Sequence, residues 1–512
     1  MWGLLFGLWM MNVGAMPSSD DALRDAIRAQ FETRSMESAT ALDRALANFY
    51  ARREFGSLWG ESTRLERLAV AIGGLSEDGL DPAEYAPLIT DDKLVAAPVE
   101  LARLEVGTTR RALLAILHLH LGKVDPTRLY ASWNFTRPGF SAEAAAAALE
   151  QALTEDDFAG LIEQSRPPHW LYGRLRLALK HLREIEAAGG WPVLAAGASL
   201  KPGMLDPRVV QLRERLRITG DGPPEALMLD PTLYDDALEE AVRAYQRRQY
   251  LEADGAVGRA TRAALDVPVA ARIEQLRVNL ERARWLLDRN ERRFVLVDIA
   301  GYRASYFRDA ERVWTGRVQV GRPYRRTPSY QAQITYVTFN PTWTVPPTIL
   351  REDILPRLAK EPDYLRRSNI RVLDLQGREL APGAVDLSRP GSYLLRQDAG
   401  PTNPLGQVVI RFPSRYAIYM HDTPSQALFD KPQRAFSSGC IRVERALELT
   451  QLLFDDAELW SRDAINALVT AGETRDVSLP KPLPILIAYW TVDVEADGSV
   501  AFRKDLYDRD AG

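Results

Sequence analysis

Arg434-Ala435-Phe436-Ser437-Ser438-Gly439-Cys440-Ile441-Arg442 holds the only cysteine of this chain. A lone cysteine is most often a small buried hydrophobe. The neighbours of this one point to chemistry instead. Ser-Ser-Gly ahead of the sulfur makes a flexible turn whose backbone amides can converge on one spot. His421, the only histidine after His181, precedes it in the chain. A thiol nucleophile, an imidazole base and convergent N–H donors are the minimum equipment for acyl transfer.

Around His421 the run Tyr416-Ala417-Ile418-Tyr419-Met420-His421 alternates, which places Ala417, Tyr419 and His421 on one strand face. Tyr419 then stands beside the imidazole, either in the site or as a core aromatic. Asp422-Thr423-Pro424 should end the strand and leave His421 at its rim. Beyond Cys440 a helix is expected from Val443 to Phe454, so the thiol would sit at a helix N-terminus. The dipole there and a nearby imidazolium would both lower its pKa. The order histidine then cysteine runs opposite to papain-like peptidases, and no Gln-Ala-Cys run is present.

Outward from this pair the period stays at two. Phe294 to Ile299 and Tyr302 to Phe307 read as a hairpin about Gly301, with further strands near Thr315 to Val320 and Gln333 to Phe339. Between Pro346 and Leu394 the character shifts to a Pro-Pro start, a short helical Ile349 to Ala359 and many charges. That stretch reads as an insertion folding over the strands as a lid. Residues 272 to 293 form one charged helix with a seam at Ile273, Leu276, Leu280, Ala283 and Leu287.

From Asp20 to about Gly190 the pattern is helical, with turns at Asp81-Pro82, Asp125-Pro126 and Pro167-Pro168. His118, His120, His169 and His181 are spaced as structural residues rather than metal ligands. Residues 205–267 make a compact unit, with helical seams at Val209, Leu212 and Leu216 and at Leu238, Ala241, Val242 and Tyr245. The run Asp254-Gly-Ala-Val-Gly-Arg-Ala-Thr261 follows. This unit resembles the small three-helix peptidoglycan-binding domain, and could serve as a binding module or as a spacer.

The chain has 512 residues, 46% hydrophobic and 26% charged, with a net charge of −4. These values fit several globular domains and argue against disorder or a nucleic-acid surface. One cysteine excludes an intrachain disulfide. Residues 2–15 carry no charge and end in Val13-Gly14-Ala15, like a signal peptide, although no Lys or Arg precedes them. The run is too short to span a bilayer, which takes about 20 residues. The expectation is an exported protein that meets a membrane only through this segment, if it is uncleaved.

His421-Asp-Thr followed by Arg434 to Arg442 resembles the signature of the L,D-transpeptidases with the YkuD-type catalytic domain. Supporting runs are Glu77-Asp-Gly-Leu-Asp-Pro-Ala-Glu-Tyr85, Asn340-Pro-Thr-Trp-Thr-Val-Pro346, Asn403-Pro-Leu-Gly406 and the tail Tyr489 to Asp510. The resemblance extends to that family's large periplasmic branch. It departs at Ser438, where the family usually carries a histidine; a serine hydroxyl could still donate a hydrogen bond.

The resemblance implies a reaction. Cys440 attacks the third residue of a tetrapeptide stem (meso-diaminopimelate in diderm bacteria) and expels D-alanine. His421 acts as base, and the N–H groups of Cys440 and Gly439 hold the oxyanion. A second stem's amine then resolves the acyl-enzyme into a 3→3 cross-link. Arg442 would position a substrate carboxylate or form a salt bridge that fixes the loop. Trp343 would line the donor groove or belong to the core. No metal or other cofactor is implied. Partners are peptidoglycan stems and glycan, with carbapenem β-lactams as inhibitors, and the location is the periplasm of a Gram-negative envelope. An L,D-carboxypeptidase using the same nucleophile, or a non-catalytic wall-binding scaffold, are the alternatives.

The expected fold is multidomain α + β. Its parts are a signal peptide (1–19), a helical scaffold (20–204), the binding domain (205–267), a connecting helix (268–293), a mostly-β catalytic domain (294–475, lid 346–394) and a C-terminal extension (476–512).

Overall fold

The computed structural model describes residues 19–32, 39–90, 93, 96–135, 139–224, 230–287, 292–309, 311–381 and 389–510; the apolar run 2–15 lies outside them. The chain is a multidomain α + β protein, helical in its N-terminal region and mostly β from Arg293 on. It divides into two compact units. The first comprises Met1–Val124, Arg137–Pro168 and Glu281–Asp288; the second comprises Asp125–Thr136, His169–Leu280 and Arg289–Gly512. Among the described residues no helix is long and apolar enough to cross a membrane.

In the first unit, helix Pro98–Leu121 buries Leu113, Ile116 and Leu119 against helices Ala41–Arg52, Ala142–Glu155 and Phe158–Gln164. Its Glu105 is fully buried and accepts hydrogen bonds from Leu58 N–H at 2.6 Å and Ser57 Oγ at 3.0 Å. Those donors offset its desolvation. The Glu77–Tyr85 run is structural here: Asp78 takes the Arg166 fork at 2.8 and 3.0 Å, and Tyr85 Oη meets His118 Nδ1 at 2.8 Å.

In the second unit, helices Arg208–Ile218, Asp236–Arg248 and Arg259–Leu265 enclose Val209, Leu212, Leu238, Val242 and Leu265. Buried Gln246 binds the Asp254–Ala256 turn. Its side chain donates to Asp254 Oδ1 and Ala256 O, both at 2.9 Å, and accepts Gly255 N–H at 2.9 Å. Gly255 has φ 74°, a conformation open to glycine at little cost. Helix Trp170–Ala187, read from sequence with the scaffold, packs within this unit: Trp170 and His169 lie against Phe307 and Phe294, at ring separations of 5.6 and 5.8 Å.

The catalytic sheet begins with β1 (Arg293–Asp298), β2 (Arg303–Arg308), β3 (Glu311–Gly321) and β4 (Tyr330–Phe339). The chain then leaves it for a small sheet of β5 (Trp343–Thr344), β6 (Ile370–Leu373) and β7 (Leu394–Gln397). It returns as β8 (Val408–Arg411), β9 (Met420–His421), β10 (Ala435–Ser437), β11 (Ile441–Val443) and β12 (Arg475–Ala488), and ends in the hairpin β13 (Val492–Val494) and β14 (Val500–Phe502). The large sheet has nine strands in the order β10-β3-β11-β9-β8-β4-β12-β1-β2, and β2 also pairs with β3, so the order closes on itself. Closure leaves few free edges. Inside lie Val297, Val318, Val337, Ile410, Met420, Ile441 and Ile485.

Three local readings change. Residues 476–512 supply β12, which runs between β4 and β1 in the middle of the sheet, so this tail is integral to the fold. The long helix starts at Val269 and ends at Leu286. The helix after Cys440 begins only at Ala446, because Ile441 and Val443 put β-branched side chains into the core as β11. Arg445, at φ 52°, then breaks the strand from the helix.

Candidate active site

Cys440 therefore stands just ahead of a strand, and the helix that follows it in the chain begins six residues later, at Ala446, rather than at the thiol. The β9–β11 register does the positioning. The strands are parallel, with Ile441 opposite Met420 and Arg442 opposite His421, and Ile441 N–H donates to Tyr419 O at 3.1 Å. One residue earlier in this register Cys440 lies beside Tyr419. Alternation then puts Cys440, Arg442, Tyr419 and His421 on one sheet face.

The Ser-Ser-Gly turn is held from several sides. Buried Ser437 accepts Gly439 N–H at 3.1 Å and donates to Cys440 O at 2.6 Å. Gly439 has φ 117°, which favours glycine. Its N–H is thus committed to Ser437, contrary to the expectation that it faces an oxyanion. Among the described residues, none accepts a hydrogen bond from Cys440 N–H. Ser438 is exposed, and its Oγ accepts from Arg325 Nη1 at 2.8 Å.

His421 is buried, and its Nδ1 lies 2.5 Å from Asp422 O. A carbonyl only accepts, so Nδ1 carries the proton and Nε2 keeps its lone pair. Burial, and next the Arg442 charge, hold this imidazole down to about 3, so it is neutral at physiological pH. Cys440 is half-buried and its Sγ donates toward Ala417 O at 3.8 Å. Burial pushes the thiol above its ordinary range, opposed in part by hydrogen bonds from Tyr419 and by the Arg442 and Arg411 charges. The resting pair is a neutral thiol and a neutral imidazole, not the thiolate–imidazolium expected from sequence.

Tyr419 is sited between chemistry and groove. Its ring is 5.7 Å from that of His421, and the Arg411 guanidinium lies 4.9 Å over it. Arg442 makes no ion pair among the described residues; it donates to Gln319 Oε1 at 3.1 Å, so the salt-bridge alternative is not realised. Half-buried Trp343 lines a cavity of about 660 Å³ together with Tyr419, Arg411, Ala417, Leu350 and Tyr393. The insertion forms the far wall of that cavity, around a core of Leu350, Ile354 and Ile370 that the flanking Val345 and Leu395 complete. The two runs Asn340–Pro346 and Asn403–Gly406 meet where Asn403 Nδ2 donates to Pro341 O at 2.9 Å. Arg411 and Arg325 carry no local signature and were missed by sequence reading. Among the described residues no group of three or more His, Cys, Asp or Glu side chains could hold a metal ion.

Residues 292–456, which contain this constellation, match the family model of the L,D-transpeptidase catalytic domain, YkuD. This is a YkuD-type L,D-transpeptidase domain. The YkuD match ends ahead of β12, and two further models flank it on the N-terminal side. Residues 44–179 match a "Scaffold domain", and 206–265 match a "Putative peptidoglycan binding domain". A Haemophilus influenzae protein named "Putative L,D-transpeptidase" is 33% identical over 240 residues, 46% of this chain. The chain spans about half the length of that relative, 48%. Among solved structures, an L,D-transpeptidase from Xylanimonas cellulosilytica aligns at 16% identity and TM-score 0.20, covering 57% of this chain and 99% of that one. Mycobacterium tuberculosis L,D-transpeptidase 1 aligns at 14% and 0.16, covering 38% of this chain and 61% of that one.

Proposed function

We propose that this chain is a peptidoglycan L,D-transpeptidase that forms 3→3 cross-links through a Cys440 acyl-enzyme. The observation that carries the reading is that the sole thiol shares one sheet face with His421 beside an insertion-walled cavity, within a YkuD-type domain. L,D-transpeptidases are acyltransferases that act on peptidoglycan, and such a substrate supports a location outside the cytoplasm. Within that setting the compartment proposed is the periplasm.

His421 Nε2 takes the thiol proton as sulfur attacks the carbonyl of the third stem residue. The C–S bond forms while the carbonyl π pair moves onto oxygen. When that oxyanion collapses, the C–N bond to the terminal D-alanine breaks and the imidazolium proton goes to the departing amine. A second stem's side-chain amine then attacks the thioester, His421 takes its proton, and the C–S bond breaks to restore the thiol. Starting from a neutral pair, the charges arise only as attack proceeds, so groups aimed at them act at the transition state. The cavity of about 660 Å³ beside Tyr419 and Trp343 would take the stem peptide, and residues 205–267 would keep the enzyme on the glycan. A carbapenem would acylate Cys440 by the same attack on its β-lactam carbonyl.

Intact-protein mass spectrometry with a disaccharide-tetrapeptide tests the reading. The expected adduct is donor minus D-alanine on Cys440, and Cys440→Ala should give neither adduct nor cross-linked dimer while folding normally. Cross-linking by the purified Cys440→Ala protein would remove the mechanism.

A further inference from the structure

We infer that Arg325 is a positioning residue of the acyl-transfer site, which orients and polarises the Ser438 hydroxyl as the second donor to the oxyanion. The inference rests on the acyl-transfer reading above and names a component that reading lacks. An oxyanion site needs convergent donors already in place. On the nucleophile turn the Gly439 N–H is consumed by Ser437, which leaves the Cys440 N–H and calls for another group. Ser438 supplies one.

The direction of its hydroxyl follows from the chemistry of its partner. A guanidinium has only N–H donors, so in the 2.8 Å contact Arg325 Nη1 donates and Ser438 Oγ accepts. The serine proton is not used by this bond. An ionised donor bonded to the oxygen also draws electron density from it, which makes the remaining O–H a stronger donor.

Arg325 is held where this requires. Its side chain is 9% exposed, and its fork pairs with Glu352 at 2.6 Å and Asp353 at 2.5 Å, both from the helical part of the insertion. These carboxylates offset its charge, so a directed dipole rather than a bare cation is presented through Ser438. They also make the donor's aim depend on where the insertion sits.

The test uses the full chain and reads acylation of Cys440 by the tetrapeptide donor, with iodoacetamide alkylation as a reaction that forms no oxyanion. Ser438→Ala and Arg325→Met should each lower the saturated acylation rate by about 100-fold. Donor KM should stay within about twofold, and alkylation should be unchanged. The double variant should be no slower than Ser438→Ala alone. In a Ser438→His background, where the imidazole donates directly, Arg325→Met should cost little. Acylation of Ser438→Ala at the wild-type rate overturns the inference even if Arg325→Met fails to fold. So does a full Arg325→Met loss that persists on top of Ser438→Ala, which would mark Arg325 as a support of the insertion only. If the wild-type chain is never acylated, the acyl-transfer reading fails instead.

Discussion

The Thr327 hydroxyl donates to the Gly439 carbonyl at 2.9 Å, tying the turn before the nucleophile to the loop after β3. The same oxygen accepts Gly321 N–H at 2.8 Å, and the Tyr507 hydroxyl accepts Thr327 N–H at 3.1 Å while donating to Gly321 O at 2.6 Å. All of these groups are buried, so the C-terminal tail braces the catalytic turn through Thr327.

Thr327→Val keeps the shape but strands a buried N–H and a buried carbonyl. Each unsatisfied group costs about 1–3 kcal/mol. The variant should melt at a lower temperature than wild type by calorimetry, and its saturated acylation rate should fall with little change in KM. An unchanged melt with full activity would show that the turn stands without this brace.

The alkylation rate of Cys440 should keep rising past the ordinary thiol pKa of about 8.5. The sign follows from burial, which disfavours the thiolate and raises the thiol. Tyr419 bonds lower the thiol, so Tyr419→Phe should shift the profile to still higher pH. A plateau reached by pH 7 would mean that the resting thiolate exists after all.

His421 is held to about 3, so the neutral base persists well below the usual histidine range. No activity limb should appear near pH 6.5, and any acid limb should lie lower. His421→Ala should slow carbapenem acylation about 100-fold or more while weakening initial binding far less. Stopped-flow acylation across pH checks both statements, and a wild-type rate in the variant at neutral pH would exclude His421 as base.

Replacing Pro346–Leu394 by a short Gly-Ser loop removes one wall of the cavity and the Arg325 partners Glu352 and Asp353. Hydrolysis should rise relative to cross-linking, as read by product chromatography. A constant product ratio with normal donor affinity would take the insertion out of the mechanism.

The unit 194–267 has its own buried core, in which Leu194 and Leu200 join the side chains of 205–267, and its own internal turn network. Expressed alone, it should fold and sediment with purified sacculi. Recovery of the folded segment in the supernatant at all salt concentrations would assign it a spacer role.

Much of this was legible because it is local. The alternation read over Tyr416–His421 holds only at its end, since β9 is Met420–His421 and Ala417, at φ 50°, lies outside the strand; Ser-Ser-Gly announced the turn, and helical periodicity marked both the N-terminal region and the binding module. Two of the N-terminal histidines have packing or capping contacts: His120 stacks on Phe140 at 4.1 Å, and His169 accepts Leu171 N–H at the start of its helix. The helix read from Val443 failed because three residues of β11 are too few to show a period of two beside a longer apolar helix.

The sequence by itself determined which atoms can react, since it contains one thiol, one histidine near it in the chain and a turn that glycine permits. Only the tertiary structure decided their state and their company. Burial, a property of the assembled sheet, keeps thiol and imidazole neutral. Parallel pairing of β9 with β11 brings Cys440 beside Tyr419. Arg325 reaches Ser438 across 113 positions, and Thr327 reaches Gly439 across 112. Such contacts form where strands distant in sequence close into one sheet, and no local period or spacing encodes them.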